Sequence, residues 1–172
     1  VDDIILSASP GVYEPMHIYL SPDDKYLYVN NRKASTMLIM DTETKQVVKE
    51  LPIKDHPMQA AISNDGNKIY VVSHHEPYIT EITKNGTDWI ITKEYQNHDA
   101  FHHLYGADLS PDGRYLFVTC SNSEDGYEPP YHIPGKERPS ILCIYDTQAG
   151  ELIKAIDIGS YSTGIAARQN QQ

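Results

Sequence analysis

The chain has 172 residues, 40% of them apolar and 22% charged, with 13 tyrosines and a formal net charge of −10. That balance allows an ordinary buried core but argues against a nucleic-acid groove, because the 14 basic residues are scattered and phosphate binding draws on clustered Lys and Arg. No run reaches the roughly 18 consecutive apolar residues of a membrane-spanning helix, Val1 opens no basic-then-apolar leader, and Cys120 and Cys143 lack the CxxC spacing of zinc or redox motifs.

In chain order, residues 1–13 hold one short apolar run, Ile4 to Ser7, read as the closing strand of a preceding unit. Residues 14–55 then set a pattern: a short strand from His17, a turn SPDD, a strand KYLYVNN, a strand TMLIMDT and a strand QVVKELPI. Residues 56–99 repeat it as HPMQAAIS, the turn SNDG, KIYVVSH, YITEITK and WIITKEY. Residues 100–160 repeat it again as HLYGADLS, SPDG, RYLFVTC, ILCIYDT and LIKAIDI, with a long insertion at 121–139, and 161–172 begin a further copy.

Each part of the pattern has a physical reason. Pro presets φ and Gly accepts positive φ, so the chain reverses at SPDD, SNDG and SPDG. Asp23, Asp65 and Asp112 recur in these turns and read as turn formers. Aromatic and β-branched residues at period two suit a pleated, half-buried sheet, and the sequence has no sustained i, i+3, i+4 apolar spacing for paired helices. Four antiparallel strands in about 42–45 residues is the spacing of a β-propeller blade. The expected fold is therefore all-β, with about three four-stranded blades and an incomplete ring. The remaining blades would come from the same protein or from a protein partner.

The segments SPDDKYLYVNN and IMDTETKQVVKELPI, echoed by SPDGRYLFVTCSNS and IYDTQAGELIKAIDIG, resemble the YVTN-repeat β-propellers. That broad family is distantly similar to the propellers of nitrous oxide reductase and thiocyanate dehydrogenase. The resemblance implies a ring of about seven blades and a periplasmic or extracellular protein. It also implies a non-catalytic module for protein interaction or assembly, or alternatively a histidine-bound copper site in an oxidoreductase. Lactonase-like propellers share the repeat style, but no constellation here matches a hydrolase.

In a blade, the loop that leads into the innermost strand and the loop between the second and third strands share one face. By that rule seven of the eight histidines gather on one face. His56, His98, His102 and His103 lie in or beside lead-in loops, His74 and His75 open a second-to-third-strand loop, and His132 lies in the insertion. His17 lies on an innermost strand at the level of Gln59, Gly106 and Gly164, and Glu14, His56, His103 and Tyr161 occupy one repeated lead-in position. Imidazole is the commonest metal ligand, which makes His56, His74, His75, His102 and His103 the candidate metal set. The competing reading is that these are loop histidines that hydrogen-bond neighbouring loops.

The insertion is rich in Pro, Gly and Tyr and suits a loop. Tyr127, Tyr131, His132, Lys136 and Arg138, with Glu14 and His17, form the candidate partner or ligand face. Glu124, Asp125 and Glu128 offer calcium ligands without the spacing of an EF-hand. No nucleophile elbow, HExxH, phosphate loop or dinucleotide fingerprint occurs, so no catalytic residue is assigned. The two thiols are open either to a disulfide or to burial as small hydrophobes. The face opposite the histidines is expected to carry little beyond turns.

Overall fold

The computed structural model describes residues 11–97, 102–121, 140–159 and 162–167. Twelve strands are present among them. The first sheet comprises β1 (Pro15–Leu20), β2 (Tyr26–Asn31), β3 (Thr36–Asp41) and β4 (Val47–Pro52). The second comprises β5 (Pro57–Ile62), β6 (Lys68–Ser73), β7 (Tyr78–Asn85) and β8 (Asp88–Gln96), and the third β9 (Leu104–Leu109), β10 (Tyr115–Cys120), β11 (Ser140–Asp146) and β12 (Glu151–Ile158). Each sheet is a four-stranded meander in sequence order. All neighbours are antiparallel.

The SPDD, SNDG and SPDG turns fold alike because one serine and one aspartate satisfy the same backbone groups each time. Ser21, Ser63 and Ser110 donate from Oγ to Asp23, Asp65 and Asp112 at 2.7, 2.6 and 2.5 Å. Each serine Oγ then accepts the backbone N–H five residues on, from Tyr26, Lys68 or Tyr115, at 2.9 Å. The residue that must reverse the chain takes positive φ: Asp24 at 59°, Gly66 at 70° and Gly113 at 71°. These aspartates are structural, as the sequence suggests. The next turn is built by Asp41 and Asp146, whose Oδ1 atoms accept two backbone N–H groups each. The middle sheet has Thr83 at that register position instead, and it turns at Gly86, φ 64°.

Regular alternation makes each sheet two-faced. One face of the first sheet, with Tyr28, Met37 and Ile39, meets Ile69, Val71, Ile82 and Trp89 of the second. The other face of the second, with Tyr70, Val72 and Ile79, meets Leu104, Leu116, Val118, Ile141 and Cys143 of the third. Individual bonds stitch the sheets. Asn30 Nδ2 donates to the Met58 carbonyl at 2.6 Å, and the Ala60 N–H donates to Tyr19 Oη at 2.9 Å.

The two outward faces differ from these interiors. On the first sheet, Val29, Leu38 and Met40 form a small third cluster, while Ile18 and Leu20, on the same face by register, are 62% and 49% exposed. On the third sheet, Phe117, Leu142 and Ile144 lie on the outward face and are half-buried. Residues 162–167 run beside β9. Gln59 Nε2 donates to the Thr163 carbonyl at 3.3 Å, and the Ala167 N–H donates to Asp108 Oδ2 at 2.6 Å. Gly106 is needed there, because a Cβ would lie 3.0 Å from Gly164 Cα and 2.7 Å from Thr119 Oγ1.

Candidate functional site

The lead-in residue of each blade is tied to the loop that follows the second strand. Arg32, His74 and Ser121 donate their backbone N–H groups to the carbonyls of Glu14, His56 and His103, at 2.8, 2.9 and 3.0 Å. The side chains then diverge. In the first blade Glu14 pairs with the Arg32 guanidinium. In the second and third, His56 and His103 adopt left-handed backbone conformations, φ 57° and 41°, which set their rings over the same end of the sheets.

Four histidine rings form a continuous file across the boundary between the second and third blades. His56 and His75 lie 3.6 Å apart between centroids at 32°, His75 and His74 are 5.1 Å apart, and His74 and His103 are 4.5 Å apart. Tyr105 of β9 closes the file with its ring edge-on to His74 at 4.8 Å. Burial, reinforced by the neighbouring His103, His75 and His56, pushes the His74 imidazole down from 6.5 to about 4.

At the outer end of the file stands Asp55. Its carboxylate lies 2.9 Å from His56 Nδ1 and 3.4 Å from His75 Nδ1, and Ser35 Oγ of the first blade donates to it at 3.2 Å. The bond to His56 is foremost in holding the Asp55 carboxyl below its usual range, against the opposing effect of burial. Among the described residues, Asp55, His56 and His75 are the one group of metal-ligating side chains whose ligand atoms all fall within 4.8 Å of one another.

The structure thus brings four of the five candidate histidines into one file, but divides them. His56 and His75 share Asp55, whereas His74 and His103 belong with Tyr105. His102 is half-buried beside His103 and is not part of the Asp55 group. Glu14 is committed to Arg32, and His17 stacks on Tyr19 at 6.4 Å along β1. Tyr127, Tyr131, His132, Lys136 and Arg138 of the candidate partner face, the acidic residues Glu124, Asp125 and Glu128, and His98 and Tyr161 lie outside the described residues. Sequence reasoning missed Asp55 and Ser35. Asp55 carried a usable signal, since it directly precedes the lead-in His56, but Ser35 is a common residue in a common loop.

The opposite end of the blades carries more than turns. A groove of about 600 Å³ runs between the second and third sheets, lined by Asn64, Lys68, Tyr70, Lys93, Asp112 and Gln148 among others. Beneath it the Glu81 carboxylate is buried and bonded by Lys68 Nζ at 2.9 Å and by Tyr95 Oη at 2.5 Å. Burial alone would raise that carboxyl. The bonds from Tyr95 and Lys68 outweigh it and hold the group below its usual range.

The sheet order, the shared core between successive sheets and the open outward faces define a β-propeller segment of three blades. Solved propellers superpose on it. Hydrazine synthase of Kuenenia stuttgartiensis matches with a TM-score of 0.70 and 22% identity, over 93% of this chain and 40% of its own. The RRP9 WD40 repeats match at 0.65 and 12%, over 92% and 42%, and the Cps50 (Swd1) propeller domain of Myceliophteria thermophila at 0.63 and 13%, over 84% and 43%. These likenesses concern the fold. No family model matches the sequence. Among curated proteins, antigen Lp49 of Leptospira interrogans is 28% identical over 116 residues, 60% of this chain and 25% of that protein. The chain spans about a quarter of that relative and about two fifths of the solved propellers.

Proposed function

We propose that these three blades belong to a larger YVTN-type propeller of about seven blades that serves, outside the cytoplasm, as a non-catalytic scaffold for protein interaction or assembly. The observation that carries this reading is the outward face of the first blade. Ile18 and Leu20 are 62% and 49% exposed, on a face whose middle strands bury Val29, Leu38 and Met40. Leaving such a surface in water is costly, at about 25 cal/mol per Å² of apolar area. The equivalent faces of the second and third blades are each covered by the blade that precedes them. The short span of this chain against its relatives supports further blades of the same protein as the occupant. The net charge of −10 favours a protein partner over nucleic acid. Similarity to a protein described as an antigen favours a place outside the cytoplasm.

A photo-crosslinking amino acid at position 18 of the intact protein tests the reading, together with cell fractionation. The expected product is an intramolecular cross-link to a residue outside the present 172, in protein recovered from the periplasmic or extracellular fraction. Absence of any cross-link at position 18, or recovery from the cytoplasm alone, overturns it.

A further inference from the structure

We propose that Asp55, His56 and His75 form a binding site for a borderline divalent cation of the zinc type, which staples the lead-in loop of the second blade to the loop between β6 and β7. The three side chains come from two loops already joined by the His74-to-His56 backbone bond. One carboxylate oxygen lies 2.9 Å from His56 Nδ1 and the other 3.4 Å from His75 Nδ1. In a tetrahedral site with bonds of about 2.0–2.1 Å, neighbouring ligand atoms stand about 3.3–3.4 Å apart. Those two separations lie near that edge length, and all the ligand atoms fall within 4.8 Å of one another, so small side-chain rotations bring the three groups onto one cation.

The donor chemistry selects the cation class. Two imidazole nitrogens and one carboxylate suit zinc and its neighbours among the transition metals, whereas calcium and magnesium prefer all-oxygen shells. A ring ligates through Nδ1 only in the tautomer that carries its single proton on Nε2; a proton that starts on Nδ1 facing Asp55 passes to Nε2 through water as the cation seats, with no net proton released.

The surroundings have the features of a supported site. The hydroxyl of Ser35 orients the carboxylate from the neighbouring blade, in the manner of an outer-shell partner. The left-handed backbone at His56 fixes where its ring leaves the chain. The His75 side chain is 46% exposed, which gives a cation a path in from solvent and leaves water to complete its shell. The site's role is structural and does not depend on the scaffold reading above.

The test uses the intact, untagged protein, stripped with a chelator and titrated with Zn²⁺ by calorimetry and with Co²⁺ by visible absorption. One equivalent of each metal is expected to bind, with the intense d–d bands of a low-coordinate Co²⁺ site. Asp55→Asn keeps the shape and one oxygen for the contacts with Ser35 and His56, so it is expected to fold, as circular dichroism would verify. It and His75→Ala should weaken Zn²⁺ binding beyond the about 10–100-fold typical of an outer-shell change, while Ser35→Ala should fall within that range. His103→Asn, which tolerates the left-handed backbone, should bind within about 3-fold of the parent. No stoichiometric binding, unchanged affinity in folded Asp55→Asn, or equal loss in His103→Asn each overturns the proposal.

Discussion

The backbone N–H of His74 donates to the carbonyl of His56 at 2.9 Å, and the same bond recurs at the same register between Arg32 and Glu14 and between Ser121 and His103. One repeated backbone contact therefore presents three different side-chain pairs. It presents an ion pair in the first blade and a file of imidazoles over the second and third. The repeat supplies the position, and the local residues supply the chemistry.

Folding stability should fall in mild acid because of His74. Its folded-state value is depressed from 6.5 to about 4, so between those values the unfolded chain binds a proton that the folded chain refuses. The contribution is complete above about pH 6.5 and is lost as the pH falls toward about 4. With His74 only half-buried, solvent screening leaves about 1–2 kcal/mol. Urea unfolding at about pH 7.5 and about pH 5 should show this loss in the parent and a smaller one in His74→Phe. Equal losses would contradict the assignment, as would an imidazole resonance for His74 titrating near its ordinary value.

The three equivalent turns make opposite predictions for glycine and aspartate. Asp24 sits at φ 59° where the other blades have Gly66 and Gly113. Relief of about 1–2 kcal/mol of left-handed strain exceeds the about 0.5–1 kcal/mol entropic cost of glycine, so Asp24→Gly should stabilise by about 0.5 kcal/mol. Gly113→Ala meets no atom within 4 Å, so backbone strain alone should cost about 1 kcal/mol. Chemical denaturation of both variants checks the pair of signs.

Trp89 joins the outermost strand of the second blade to the first blade. Its side chain is fully buried, and its ring stands edge-on to Tyr26 at 4.6 Å. Trp89→Ala should cost about 3–5 kcal/mol. As the sole tryptophan, its emission should be blue-shifted in the folded chain and should move red in step with loss of the blade interface. A red-shifted native spectrum would contradict this packing.

Cys120 and Cys143 form no disulfide; both are fully buried, with their sulfurs 3.6 Å apart. The hydrogen bond with Cys143, together with burial, pushes the Cys120 thiol well up, so it is a poor nucleophile. A thiol reagent should leave both groups unlabelled in the native chain and label both after denaturation. Rapid native labelling would contradict the buried environment.

The blades were legible because turn chemistry and period-two alternation act locally: Ser21, Asp23 and Tyr28 specify their turn and strand without reference to distant chain. Other features were not written in that way. A register shift recurs at the same place in the outer strand pair of every blade, after Ile39, Glu81 and Ile144, each of which faces a lysine. Such bulges follow from sheet twist, which no residue pattern announces. The approach of His56, His74, His75 and His103 to one another followed from topology. The division of that group between Asp55 and Tyr105 did not, since it depends on ring orientations set by left-handed backbone at His56 and His103. The groove over Glu81 was missed because it forms between turns of two different blades.

The central claim, that these blades are part of a larger ring, is tested most directly by an experimental structure of the intact protein. The account predicts a further sheet of the same protein lying over Ile18 and Leu20, within a closed propeller of about seven blades. A structure in which both residues still face solvent, with no sheet against the first blade, would contradict it.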